Sequence, residues 1–127
     1  MTVIASSSIS GAAKKRYARV LSIAGSDSGG GAGLQADLKA LAAFGVHGCT
    51  IVAAITAQNS VSVTRVEPVS AELLNAQLAA LAEDMPPAAI KTGLLGSVEN
   101  LRVVCRWVAA VQQGREQATR DSDMGGF

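Results

Sequence analysis

A glycine-rich loop with one carboxylate is the first feature of this chain that could do chemistry. Residues 25–33 read GSDSGGGAG, with five glycines in nine residues. Because glycine has no Cβ, the backbone N–H groups of such a loop can approach a ligand closely, and the N-terminus of the helix that follows favours negative charge. Asp27 could hold a metal ion or a hydroxyl group, although an Asx turn is the commoner role. Five glycines exceed what a tight turn requires, which favours a ligand-binding loop.

Two nucleotide-binding motifs fail on this loop. Gly25 and Gly30 have the spacing of a Walker A loop, but Gly31 stands where that motif needs its lysine. Residues 31–36 loosely match the glycine fingerprint of dinucleotide-binding folds. That fingerprint also needs an acidic residue about twenty positions later to bind a ribose hydroxyl. Residues 38–66 contain no acidic residue, so we reject both motifs.

Three polar residues stand where a sheet would present them to a ligand. Asp37 borders the apolar stripe of the first predicted helix, and Gln58 follows the second predicted strand, at the end where open α/β sheets bind ligands. Together an amide and a carboxylate offer the donors and acceptors that a heteroaromatic ring with an exocyclic amine requires. The alternatives are a solvated carboxylate for Asp37 and a turn residue for Gln58. Lys91 could meet a phosphate, but a lysine that reaches into solvent is the commoner case.

The first elements that must position these residues form a strand–helix–strand unit. An apolar run over 20–24 predicts a buried strand, and a β-favouring run over 49–55 predicts a second one. Between them a helix is predicted up to Gly45. This order predicts a right-handed, parallel βαβ unit. The stripe of the helix comprises Leu34, Leu38 and Leu41.

The second half of the chain continues the alternation of strands and helices. Residues 61–66 alternate between apolar and polar and predict a half-exposed edge strand, and residues 88–91 predict a short strand. Ser70 and Ser97 are predicted to cap the two helices. Such alternation predicts an α/β fold with a mostly parallel sheet. The stripes of these helices comprise Leu74, Leu78 and Leu81, and then Val98, Leu101, Cys105 and Val108.

The bulk composition excludes several classes of protein. The 127 residues are 49% hydrophobic and 17% charged with a formal net charge of +1, too apolar for a disordered chain and too neutral for a nucleic-acid-binding protein. No apolar run is long enough to cross a bilayer, so we expect no membrane partner. Cys49, Cys105 and His47 lack the spacing of a zinc site. Two free thiols fit a reducing compartment and predict a cytoplasmic location.

Four segments of the chain carry a family resemblance. In order, they are residues 24–33 (AGSDSGGGAG), 35–39 (QADLK), 56–59 (TAQN) and 91–95 (KTGLL). Together they resemble the hydroxymethylpyrimidine/phosphomethylpyrimidine kinases of thiamine biosynthesis, within the ribokinase-like superfamily, with pyridoxal kinases as the nearest neighbours. The resemblance implies a ribokinase-like three-layer α/β sandwich with a mostly parallel sheet, here truncated to its N-terminal part.

The resemblance also implies an activity and a substrate pocket. Such enzymes use ATP and Mg²⁺ to phosphorylate 4-amino-5-hydroxymethyl-2-methylpyrimidine and then its monophosphate. Gln58 looks like the residue that hydrogen-bonds the pyrimidine, with Asp37 as its partner at the aminopyrimidine edge. Gly25 and Thr56 are expected in the same pocket. Leu94 stands where the family usually has a methionine against the ring, a change that nearly conserves volume.

The resemblance divides the chain into three parts. Residues 1–18 are expected to be a disordered extension, with a transit peptide as the alternative, residues 19–111 the N-terminal part of the kinase domain, and residues 112–127 a polar tail outside the family pattern. The family places its ATP site, magnesium region and catalytic base later in a longer chain. We therefore predict no catalytic residue, no metal ligand and no turnover by this chain alone. The alternatives are a non-catalytic pyrimidine-binding fragment and a pyridoxal-kinase-like fragment, and the family suggests a homodimer.

Overall fold

Seven helices and strands make up the part of the chain that the structure describes. This computed structural model describes residues 17–124, with side chains through residue 121. Residues 1–16, most of the predicted N-terminal extension, and residues 125–127 lie outside it. In chain order the elements are β1 (Arg19–Gly25), α1 (Gly33–Ala43), β2 (His47–Gln58), β3 (Val63–Pro68), α2 (Ala71–Asp84), β4 (Ala89–Thr92) and α3 (Val98–Met124).

The four strands of this described part form one sheet in the order β3–β2–β1–β4. β1 runs parallel to β2 and to β4, so the predicted parallel strand–helix–strand unit is confirmed. β3 runs antiparallel to β2 at the edge of the sheet, which confirms an edge strand here but begins and ends two residues later than predicted. The predicted half-exposure is wrong, because all of its residues are exposed and no helix among the described residues packs closely on this strand.

The hydrophobic core lies between one face of the sheet and helices α2 and α3. Leu21 and Ile23 of β1 are fully buried there against Leu74 and Leu78 of α2. α1 packs against β1 and β2, and Asp37 on it bonds to side chains of the opposite sheet face. Helices on both faces of a mostly parallel sheet make a three-layer α/β sandwich, which confirms the predicted fold class.

Local signals place the caps of two helices correctly. The Ser70 hydroxyl accepts a hydrogen bond from the backbone N–H of Leu73 at 3.1 Å, at the start of α2. The Ser97 hydroxyl accepts one from the N–H of Asn100 at 3.1 Å, at the start of α3. Each bond satisfies one of the N–H groups that the first helical turn leaves without a partner.

Leu38 is less buried than its place in the predicted stripe of α1 implies. Leu34 is buried, but Leu38 is 41% exposed. A Cβ built on Gly48 would lie 2.9 Å from the Cδ2 of Leu38 and 2.9 Å from the Cδ1 of Leu41. Both leucines therefore lie over the bare backbone of β2 at Gly48. The rest of Leu38 faces solvent because α1 is the one described helix on this side of the sheet.

The predicted stripe of α3 is wrong at three of its four positions, and only Val108 packs against the core. Val98, Leu101 and Cys105 are exposed, whereas Val103 and Val104 are buried in the core. Asn100 on the same side of the helix is fully buried, and its amide nitrogen lies within hydrogen-bond distance of three backbone carbonyl oxygens, which share its two N–H donors. The face of α3 that packs on the core is therefore a second apolar stripe with helical spacing, made of Val103, Val104, Trp107, Val108 and Val111.

α3 extends beyond the point where its apolar stripe ends. The helix continues through residues 112–124, most of the polar stretch that we placed outside the family pattern. Arg115 donates hydrogen bonds to the backbone carbonyls of Pro87 and Ala88, and the Gln117 amide donates to Asp121 at 2.9 Å. In this part of α3, polar contacts take the place of apolar packing. One of them joins residues one helical turn apart, and the others join the helix to the loop before β4. Even with this extension, none of the described helices is long and apolar enough to cross a membrane.

Candidate functional site

The glycine loop closes around the carboxylate of Asp27. That carboxylate accepts hydrogen bonds from the N–H groups of Gly29 at 2.8 Å, Gly31 at 2.9 Å and Ala32 at 2.7 Å. Asp27 is buried, with 4% of its surface exposed. The Asx turn that we favoured is therefore confirmed. These three N–H groups serve an anion that belongs to the chain itself, and this contradicts the expectation that the loop presents them to a ligand.

The same contacts determine the charge of Asp27. Burial by itself raises the pKa of this carboxyl group, but hydrogen bonds from the N–H groups of Gly29, Ala32 and Gly31 outweigh it and hold the pKa below its ordinary value of 3.8. Asp27 therefore carries a negative charge at neutral pH and stabilises the N-terminus of α1.

Gly33 allows the loop to pass close to β1. Its φ of +56° lies in the left-handed region, where residues with a side chain are strained. A Cβ at this position would lie 2.5 Å from the backbone oxygen of Gly25. Glycine is thus required here for conformation and for space, and the helix that carries Asp37 begins at this residue.

Backbone and hydroxyl contacts join the loop to the carboxyl end of β2. Thr56 donates its N–H to the hydroxyl of Ser26 at 3.1 Å and its own hydroxyl to the carbonyl of Ser26 at 2.8 Å. The Ser28 hydroxyl accepts from the N–H of Gln58 at 2.9 Å and donates to its carbonyl at 2.6 Å. Only backbone groups of Gln58 are used. Its side-chain amide makes no hydrogen bond to any residue that the structure describes.

A cavity of about 170 Å³ opens at the carboxyl ends of β1, β2 and β4. It brings together four of the predicted pocket residues, Gly25, Thr56, Gln58 and Leu94, whereas Asp37 does not line it. The complete lining is Ala24, Gly25, Ser26, Asp27, Ala32, Gly33, Thr56, Gln58, Lys91, Gly93 and Leu94.

Gly25 and Leu94 lie next to each other in the lining of this cavity. A Cβ on Gly25 would lie 3.4 Å from the Cδ2 of Leu94 and 3.5 Å from the carbonyl oxygen of Ala54. A side chain at residue 25 would therefore fill space that the cavity now keeps open. Leu94 is 53% exposed, so its side chain presents an apolar surface to a ligand at the cavity mouth.

Asp37 lies beside the cavity, in a cluster with Lys91 and Ser22. The ammonium of Lys91 is 2.7 Å from Oδ2 of Asp37, and the hydroxyl of Ser22 donates to the same oxygen at 2.5 Å. The side chains of Lys91 and Asp37 are 28% and 20% exposed. Lys91 therefore does not extend into solvent as we favoured. Sequence reasoning missed Ser22, and the cluster joins residues as far as 54 positions apart.

Among the described groups, the glycine loop could meet a phosphate and the acidic side chains could meet a metal ion. The N–H groups of the glycine loop are bound to Asp27. No group of three or more His, Cys, Asp or Glu side chains among residues 17–121 is arranged to hold a metal ion. Neither observation identifies a residue of this chain as a ligand of ATP or Mg²⁺.

The fold has close counterparts among solved structures. A phosphomethylpyrimidine kinase from Clostridium difficile 630 superposes with a TM-score of 0.72 and 41% identity over 75% of this chain and 41% of that one. An ADP complex of Bacillus subtilis pyridoxal kinase gives 0.70 and 34% identity, over 76% of this chain and 38% of that one. The sandwich with a cavity at the strand ends is thus of the ribokinase-like small-molecule kinase class.

Sequence comparison gives the family within that class. A family model described as phosphomethylpyrimidine kinase matches residues 27–122, and the chain belongs to this family. The hydroxymethylpyrimidine/phosphomethylpyrimidine kinase of Rhizobium meliloti (strain 1021) is 52% identical over 84 residues, which cover 66% of this chain and 32% of that protein. Its counterpart in Synechococcus elongatus is 49% identical over 89 residues, or 70% of this chain and 34% of that protein. The chain thus spans about a third of the length of these relatives.

Proposed function

We propose that this chain forms the pyrimidine-binding part of an ATP-dependent hydroxymethylpyrimidine/phosphomethylpyrimidine kinase. The observation that carries the proposal is the Gln58 side-chain amide. It lines the cavity at the carboxyl ends of the parallel strands and makes no hydrogen bond to the described residues. A half-buried amide without a partner offers one acceptor and two donors to a ligand.

The walls of the cavity suit a small aromatic ring. Leu94 supplies an apolar surface on one side, and the bare backbone of Gly25 leaves room for a flat ring beside it. We assign the amide of Gln58 to the polar edge of an aminopyrimidine, which needs both a donor and an acceptor. Thr56 uses its hydroxyl within the chain, so its role is to hold the Ser26 segment of the wall.

ATP, Mg²⁺, a homodimer and a cytoplasmic location remain proposals that rest on the family. Relatives with known structure include a Staphylococcus aureus pyridoxal kinase in complex with AMP-PCP and pyridoxal. Cys49 and Cys105 are free thiols, which supports a reducing compartment. The three-part division of the chain also stays a prediction. The family model extends into residues 112–122, part of the stretch that we placed outside the family pattern.

Isothermal titration calorimetry of the purified 127-residue protein tests the proposal. We expect saturable binding of 4-amino-5-hydroxymethyl-2-methylpyrimidine and weaker binding of pyridoxal. Tighter binding of pyridoxal would support the second candidate function, a pyridoxal-kinase-like pocket. The observation that favours this candidate is the 34% identity to the Bacillus subtilis pyridoxal kinase. The absence of pyrimidine binding overturns the proposal. Phosphate transfer with magnesium-ATP, measured on the same sample, tests the prediction that this chain alone lacks turnover.

A further inference from the structure

We propose that Lys91 is the residue that recognises an oxygen substituent on the ligand, and that Asp37 and Ser22 act on the ligand only by positioning Lys91. This inference rests on the proposed function, because it concerns the same cavity. It differs from the family-based expectation for Asp37, which placed that carboxylate against the aminopyrimidine edge. Lys91 lines the cavity, whereas Asp37 does not.

The ammonium of Lys91 uses only one of its N–H donors within the described part of the chain. A protonated lysine carries three N–H donors. One of them is used, in the 2.7 Å bond to Oδ2 of Asp37, and no other partner occurs among the described residues. Two donors therefore remain for an acceptor in the cavity. A neutral hydroxyl oxygen and an anionic phosphate ester oxygen can both accept such a bond, and the phosphate oxygen accepts the stronger one.

Three neighbours keep this ammonium in place. Ser22 and Lys91 are register partners on the parallel strands β1 and β4, so their side chains leave the same face of the sheet. Asp37 reaches this face from α1 and accepts bonds from both. A Cβ on Gly93 would lie 3.3 Å from the Lys91 nitrogen and 2.9 Å from the Cβ of Ala24. Glycine at residue 93, itself in the cavity wall, thus leaves the ammonium the space that it occupies.

The arrangement assigns separate tasks to the two polar groups of the cavity. Gln58 is neutral and suits the ring edge, whereas Lys91 is charged and suits an oxygen that carries partial or full negative charge. Hydrogen bonds to a charged group are stronger than neutral ones, so the oxygen substituent contributes more to affinity than its size implies. The cavity is therefore selective for ligands that carry this oxygen.

The contact between Lys91 and the ligand oxygen is isolated by measuring two ligands on the natural sequence and on Lys91→Met. The ligands are 4-amino-5-hydroxymethyl-2-methylpyrimidine and 4-amino-2,5-dimethylpyrimidine, which lacks only the hydroxyl group. On the natural sequence we expect the hydroxyl to improve affinity by about 10- to 100-fold, the range for a hydrogen bond to a charged group. With Lys91→Met we expect both ligands to bind equally, at the affinity of the dimethyl compound. Lys39→Met, which removes a lysine outside the cavity, is the matched control and should keep the discrimination.

Two further variants keep the test decisive. Lys91→Met leaves the Asp37 carboxylate without its charged partner and could prevent folding. In that case the double variant D37N/K91M, which removes both charges, replaces it in the ligand comparison. Asp37→Asn alone should reduce the discrimination and leave the affinity for the dimethyl compound unchanged. If Asp37→Asn weakens both ligands equally, Asp37 contacts the ring and the positioning role is overturned.

The failure of this inference is distinguishable from failure of the proposed function. If the natural sequence binds both pyrimidines and Lys91→Met preserves the preference for the hydroxyl, the inference is overturned and the proposed function stands. If the natural sequence binds neither pyrimidine, both are overturned.

Discussion

The side-chain amide of Asn100 donates to the backbone carbonyl of Leu95 at 3.1 Å. The same amide nitrogen lies 3.2 Å from the carbonyl oxygen of Ala53 and 3.1 Å from that of Val69. One buried side chain of α3 therefore holds β2, the segment before α2 and the loop that carries Leu94. Its own Oδ1 is buried and has no partner within the described residues, which is the cost of this arrangement.

Replacement of this amide should destabilise the fold. We expect Asn100→Leu to lower the free energy of unfolding by about 1–3 kcal/mol, because buried carbonyl groups lose their donor. Urea denaturation followed by circular dichroism measures the change. Asn75→Leu, at an exposed position of α2, is the control and should have a much smaller effect. An unchanged midpoint for Asn100→Leu would show that the three carbonyl contacts contribute nothing to stability.

Acid should remove the stabilisation that Asp27 provides. Its folded-state pKa lies below its ordinary value of 3.8, so the native state favours the ionised form. The contribution is complete at pH values above the unfolded pKa and is lost as the pH falls through the lower folded pKa. We expect the difference in unfolding free energy between the natural sequence and Asp27→Asn to be constant near neutral pH and to shrink below about pH 4. Denaturation curves collected across this range provide the measurement, and a difference that does not change with pH contradicts the assignment.

Two glycines should respond to alanine in opposite directions. Gly33→Ala places a Cβ 2.5 Å from a backbone oxygen at a φ of +56°, and we expect a loss of about 1–3 kcal/mol of stability. Gly114→Ala adds a methyl group where nothing lies within 4 Å, inside α3. There we expect a gain of about 0.5–1 kcal/mol, because alanine favours the helix. Thermal unfolding of both variants checks the pair, and a Gly33→Ala protein as stable as the parent would be inconsistent with the backbone geometry.

Removal of the free amide in the cavity should weaken ligand binding without unfolding the protein. Gln58→Ala deletes a side chain that bonds to nothing in the described part of the chain, so we expect little change in stability. Pyrimidine affinity should fall by about 1–3 kcal/mol, the value of a lost buried hydrogen bond. Calorimetry measures the affinity, with Gln112→Ala on the exposed face of α3 as the control. Equal affinity of both variants would remove Gln58 from the binding site.

Signals within a few residues of one another predicted much of this structure. Ser70 and the leucines that follow it define α2 because a cap and a stripe are local features. The pairing of Lys91 with Asp37 joins β4 to α1, and nothing in the sequence around either residue indicates it. The rotation of α3 was misjudged because two overlapping apolar stripes run along that helix, and periodicity alone does not say which of them meets the sheet.

The register of β4 on β1 has a consequence for folding. Ile90 pairs with Leu21 and faces the core, while Lys91 pairs with Ser22 and faces α1. Because side chains alternate along a strand, a slip by one residue would exchange Ile90 and Lys91 between the two faces. The ammonium would then enter the apolar layer, far from Asp37, and a hydrocarbon would replace it in the cavity wall. The ion pair therefore penalises misaligned intermediates and helps the chain select a single strand alignment.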